Sequence, residues 1–144
     1  MLNELAVDEH TVLIGHSSGA VAAMRLSEEH RTHGVVLVSA CHTDLGDGGE
    51  RASGYYPPSG GPWLWDAMKA NTGGNIAILH SDNDPFIPLD EAQFVAQNLG
   101  VDLRVEPRQS HFFSPCEAIF EATLVVAQAT PNWPNTSAEA DEGE

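Results

Sequence analysis

The sequence predicts an α/β fold, a parallel sheet with flanking helices, and three observations carry that prediction. Short apolar runs of strand length alternate with segments of helical periodicity between residues 11 and 128. The runs are continuously apolar, as in strands covered on both faces. The 144 residues are 42% hydrophobic, enough for one buried core.

Thr11-Val-Leu-Ile-Gly15 is the first run, and it ends in glycine. From Ser18 to about His30, Ala20, Ala23, Met24 and Leu26 recur at helical spacing against Arg25, Glu28 and Glu29, so a helix follows the strand. Gly34 to Ser39 is a second β-branched run, and joining it to the first through one helix gives a βαβ unit with parallel strands. Residues 41–62 break every period with six glycines and three prolines, which predicts a long loop. A short helix is expected near Trp63–Ala70, a strand over Asn75–His80, a helix over Leu89–Leu99, a strand over Leu103–Glu106 and a last helix over Pro115–Gln128. Residues 1–130 are thus expected to form one domain. Residues 131–144 hold four acidic and no basic residues and no periodicity, and predict a disordered acidic tail.

Twenty-one acidic residues against six basic ones give a net charge of −15. Four of the acidic residues lie in the tail, so seventeen still face the six basic ones in the remainder, a charge of −11. Such a surface repels phosphate backbones and anionic headgroups, which argues against nucleic acid and membrane as partners. Cys41 and Cys116 stand far apart in no paired motif, consistent with a reducing, cytoplasmic location rather than a disulfide scaffold. No apolar stretch is long enough for a membrane helix and no basic leader precedes one, so the chain reads as soluble and unexported.

Gly15-His16-Ser17-Ser18-Gly19 is a G-x-S-x-G pentapeptide between the first strand and the first helix. In that context Ser17 sits on a sharp turn with its hydroxyl above the sheet, flanked by glycines that tolerate strain and close helix packing, and is the candidate nucleophile. The Ser18 amide opens a helix, where an unpaired N–H and the helix dipole favour an oxyanion. A serine needs a base, and an imidazole needs a carboxylate to fix its tautomer. His111 follows the strand ending at Glu106, and Asp84 follows the strand ending at His80, both beyond carboxyl ends of parallel strands like Ser17. Asp82 competes with Asp84 for the acid role; Asp84 is preferred because Pro85 and Pro88 stiffen its loop. Tyr55, Tyr56, Trp63 and Trp65 in and after the long loop either face a substrate or pack the loop onto the sheet. His30 and His33 lack the partners of a metal site and read as helix-end residues, and His16 as packing beside the nucleophile. No metal and no organic cofactor is expected.

Taken together, Ile14–Ala20, Ala22–Arg25, Val36–Ala40, Asp44–Asp47, Glu50–Tyr55, Lys69–Asn71, Asp84–Phe86 and His111–Phe112 form a specific set across residues 10–125. On these stretches the chain resembles the small serine hydrolases of the retinoblastoma-binding protein nine type, an α/β-hydrolase family. The resemblance implies an α/β-hydrolase-like sheet, a nucleophile at Ser17, an acid at Asp84 and a base at His111. It further implies a strand, a glycine-rich loop, a helix and another strand ahead of residue 1, so that the domain is incomplete at its N-terminus and Thr11–Gly15 becomes an apolar sheet edge. That loop carries the family's second oxyanion donor, and losing one such donor typically costs about a hundred- to a thousand-fold in turnover. The family's pocket-protein motif, L-x-C-x-E, falls on Leu5–Glu9 with Val7 in place of cysteine, which argues against a retinoblastoma-type pocket protein as partner. The expected function is hydrolysis of a small ester, thioester or amide through an acyl-enzyme. The other class that these residues fit is a catalytically silent interaction protein or truncated isoform with an incomplete oxyanion hole.

Overall fold

The computed structural model describes residues 6–57 and 61–135. Leu5 of the motif-like stretch, Pro58 of the long loop and residues 136–144 of the expected tail lie outside the described residues. The elements run β1 (Val12–His16), α1 (Ser18–Glu29), β2 (Gly34–Val38), α2 (Gly48–Ala52), α3 (Trp65–Thr72), β3 (Ile76–Ser81), α4 (Leu89–Leu99), β4 (Leu103–Glu106) and α5 (Glu117–Gln128). The strands pair in parallel in the order β1-β2-β3-β4, with Leu13 opposite Val35, Leu37 opposite Ile78, and Ile78 opposite Leu103. No helix among the described residues is long and apolar enough to cross a membrane.

Alternation along β2 and β3 sends successive side chains to opposite faces, and each face is covered. Val35, Leu37 and Ile78 pack with Ala20 and Met24 of α1, Met68 of α3, and Val95 and Leu99 of α4. On the other face Val36, Val38 and Leu79 pack with Ala118, Ala122 and Val126 of α5. Each large apolar side chain buried this way contributes about 1.5–3 kcal/mol relative to exposure. The β1 strand departs from the expectation of burial on both faces: Gly15 is buried, but Ile14 is 56% exposed. It is an edge strand among the described residues, pairing with β2 alone.

The long loop is less irregular than its composition predicts. Asp47 caps α2 by accepting the Glu50 amide (2.9 Å), and Arg51 closes on Asp44 at 2.9 Å. Capping and an ion pair outweigh the poor helix propensity of two glycines in so short a segment. Residues 131–135 lie against the body. The Trp133 Nε1–H donates to the carbonyls of Thr32 (3.0 Å) and Asn71 (3.1 Å), the Arg31 guanidinium sits 5.2 Å from the indole, and the Asn132 amide reaches Gly73 (2.9 Å).

Candidate active site

The turn from β1 into α1 is built around one strained residue. Ser17 has φ 58° and ψ −122°, a backbone that a non-glycine residue adopts only where its surroundings hold it. Its N–H donates to Val38 (2.9 Å), and its carbonyl accepts from Ala20 (2.9 Å) and Val21 (3.3 Å), so sheet and helix grip it from both sides. The sharp turn brings Gly15 against the helix, where a Cβ would overlap the Gly19 carbonyl and lie 2.7 Å from the Ala20 Cα. A Cβ at Gly19 would meet nothing within 4 Å, so only the first glycine of the pentapeptide is sterically required. The Ser18 amide takes no hydrogen-bond acceptor among the described residues, which leaves a donor beside the Ser17 side chain. Further positive φ values at Ser39, Ser110 and Phe112 gather at this same carboxyl end of the sheet.

Asp84 and His111 meet there. The His111 Nδ1–H donates to Asp84 Oδ2 at 2.8 Å, and the two side chains are 8% and 1% exposed. Asp84 Oδ1 accepts from the amides of Phe86 (2.8 Å) and Ile87 (3.0 Å). Burial alone raises the Asp84 pKa, but the bond from His111 and those two amides outweigh it and hold the carboxyl below the usual carboxylate range. Asp82 turns elsewhere, accepting the Arg108 amide at 2.9 Å. Ser81 Oγ accepts the Gln109 amide and Asn83 Oδ1 the Ser110 amide, each at 2.8 Å, so the two loops are stitched together. His16 is more than a packing neighbour: its Nε2–H donates to the His111 carbonyl at 2.7 Å, with the rings 4.7 Å apart. Among the described residues Ser17 Oγ makes no hydrogen bond to His111, a contact often long until substrate binds.

A cavity of about 330 Å³ opens beside Ser17 and Ser18. Its wall holds Cys41, Tyr56, Phe86 and Ile87, together with the carboxylates of Asp44, Asp47 and Glu50. Glu50 on α2 accepts from Ser18 Oγ (2.5 Å) and from Tyr56 OH (2.9 Å), tying the long loop to the turn after β1. Cys41 lies 3.3 Å from Tyr56 OH, and burial, with the charges of Glu91, Glu50 and Asp44 added, pushes its thiol up to about 11, so it stays protonated. Among the described residues no cluster of three or more His, Cys, Asp or Glu side chains is arranged to hold a metal ion.

Residues 2–115, which include Ser17, Asp84 and His111, match the family model described as "Serine hydrolase". The chain belongs to the serine hydrolase family. It is 47% identical over 112 residues to "Serine hydrolase RBBP9" of Rattus norvegicus, covering 78% of this chain. The chain spans 58% of the length of that curated relative. Two solved structures share its α/β-hydrolase-like arrangement. The ydeN gene product from B. subtilis has a TM-score of 0.71 at 19% identity, over 89% of this chain and 71% of its own. TT1662 from Thermus thermophilus has a TM-score of 0.62 at 20% identity, over 89% and 58%.

Within this member of the serine hydrolase family the four aromatics singled out from the sequence differ in their surroundings. Tyr56 lines the cavity beside Ser17. Tyr55 packs onto the core. Trp63 is 5% exposed and donates its Nε1–H to the His42 carbonyl at 2.9 Å; Trp65 stands 6.1 Å from it, and the two line one groove with Lys69 and Asn98, apart from the cavity beside Ser17. The carboxylates and Phe86 of the cavity wall lie in stretches that carry the family resemblance, but nothing in the sequence assigned them a site role. Asp44, Asp47 and Glu50 come from a segment without periodicity, and no local pattern marks Phe86 as a cavity residue.

Proposed function

We propose that the chain hydrolyses a small ester, thioester or amide through an acyl-enzyme on Ser17. The observation that carries this reading is the buried 2.8 Å bond from His111 to Asp84 at the sheet end where Ser17 is held in a strained turn. Ser17 Oγ attacks the substrate carbonyl carbon while His111 Nε2 takes its proton, and Asp84 holds the imidazole in the required tautomer and stabilises its charged form. The oxyanion faces the Ser18 amide at the start of α1. Collapse of the intermediate expels the leaving group, which takes the proton from His111. A water then attacks the acyl-Ser17 ester with the same proton relay, and releases the acid. The cavity size of about 330 Å³ suits a small substrate.

A fluorophosphonate probe tests the nucleophile directly, because it reports serine reactivity without requiring turnover. Labelling is expected on Ser17, absent in Ser17→Ala and retained in Ser18→Ala. Full labelling of Ser17→Ala would remove the assignment. The absent Ser17–His111 hydrogen bond favours a second reading, a catalytically silent protein that keeps these residues, and an unlabelled, folded wild type is its signature.

A further inference from the structure

His80 is the one fully buried histidine near the acid, and the mechanism leaves it unused. It lies in β3 with 0% exposure, and its Nδ1 has no hydrogen-bond partner among the described residues. Burying an imidazole with one nitrogen unpaired is costly, and an apolar side chain of similar size would avoid that cost. Packing alone therefore does not account for a histidine here. Its other nitrogen does have work: the Nε2–H donates to the Ile87 carbonyl at 2.8 Å and lies 3.8 Å from Asp84 Oδ2.

We propose that His80 is a positioning residue for the acid, fastening the Asp84 loop so that its carboxylate stays aimed at His111. The proposal rests on the reading of Asp84 and His111 as acid and base. Ile87 is held on both sides, its N–H by Asp84 Oδ1 and its carbonyl by His80. Rotation of the loop about Ile87 breaks both bonds, and Pro85 and Pro88 restrict the backbone on either side. With Oδ1 committed to two amides, Oδ2 is left for His111. If the loop turns away, the carboxyl loses the bonds from His111 and the Phe86 and Ile87 amides that hold its pKa down.

The test compares His80→Leu and His80→Gln in the full chain, the glutamine amide keeping a donor within reach of the Ile87 carbonyl. Two quantities are read: the rate of fluorophosphonate labelling at Ser17, and the titration of the Asp84 carboxyl by carbon NMR. In His80→Leu labelling is expected to slow about ten- to a hundred-fold, the usual effect of a misplaced catalytic group. The Asp84 midpoint is expected to rise toward the ordinary carboxylate range, and His80→Gln to restore most of both. A purely structural role lowers the melting temperature without moving the Asp84 titration. The proposal is overturned if folded His80→Leu labels at the wild-type rate with the Asp84 titration unmoved, or if leucine and glutamine slow labelling equally with that titration unmoved. Should the leucine variant fail to fold, His80→Asn, whose shorter amide does not reach Ile87, replaces it under the same criteria. Asp84→Asn separates the two levels: wild-type labelling in that variant defeats the acid–base reading itself, whereas slowed labelling there with an unaffected His80→Leu defeats only the role of His80.

Discussion

Two aspartates two residues apart do different jobs because their loop turns between them. Asp84 points inward to His111 and two backbone amides, while Asp82 stays at the surface on the Arg108 amide. Asp84→Asn is therefore expected to cut hydrolysis, or the labelling rate of Ser17, by a factor on the order of ten thousand, because asparagine favours the wrong imidazole tautomer. Asp82→Asn is expected to lose less than about tenfold, since it loosens a loop without touching the imidazole. Equal losses in the two variants would defeat the distinction. The same carboxylate sets a pH dependence. Its folded-state pKa is lowered, so it contributes stability above the unfolded value of about 3.9 and loses it as the pH falls through the folded value. The destabilisation in Asp84→Asn, read from denaturant midpoints, should be full at neutral pH and shrink in acid below about pH 4. A difference that stays constant into strong acid would show that Asp84 acts through packing rather than charge.

The tight join of β1 to α1 fixes where Ser17 stands, and its two glycines are not equivalent. Gly15→Ala drives a methyl into the Gly19 carbonyl and the Ala20 Cα, backbone atoms that cannot step aside, and should cost about 1–3 kcal/mol in a thermal or denaturant melt. Gly19→Ala enters open space within a helix and should be neutral or stabilise by up to about 1 kcal/mol. A reversal of that order would mean that α1 packs differently on the sheet. The difference also explains what the sequence revealed at this scale. The strands, α1, α4 and the β1–α1 turn were legible because continuous apolar runs, helical spacing and a G-x-S-x-G pentapeptide are local signals, and the loops of Asp84 and His111 followed from their places after β3 and β4. The short α2 was not legible, because Gly48-Gly49 masks a helix held by the Asp47 cap and the Asp44–Arg51 pair. Nor was the polar cavity wall, since Glu50 reaches Ser18 and Tyr56 only through tertiary folding. Trp133 is similar: it falls in the stretch whose composition predicts a disordered acidic tail, yet its indole N–H finds two carbonyls 101 and 62 residues away in sequence, at Thr32 and Asn71.

At the scale of the whole molecule, an apolar edge and a strongly acidic surface oppose each other. Among the described residues β1 pairs with β2 alone, and Ile14 on that strand is 56% exposed, the combination that invites pairing with another chain. A net charge of −15 keeps copies apart while it is unscreened. Screening shortens the reach of that repulsion to about 10 Å at 0.1 M salt and about 3 Å at 1 M, while burial of apolar surface is not weakened. Self-association followed by light scattering should therefore rise with salt, the reverse of an association driven by opposite charges. Ile14→Lys places a charge on the edge and should suppress the scattering at every salt concentration. Its melting temperature should barely change, because so exposed a side chain contributes little to the core. If scattering falls with salt, or Ile14→Lys scatters like the wild type, the β1 edge is not the contact and another surface joins the copies.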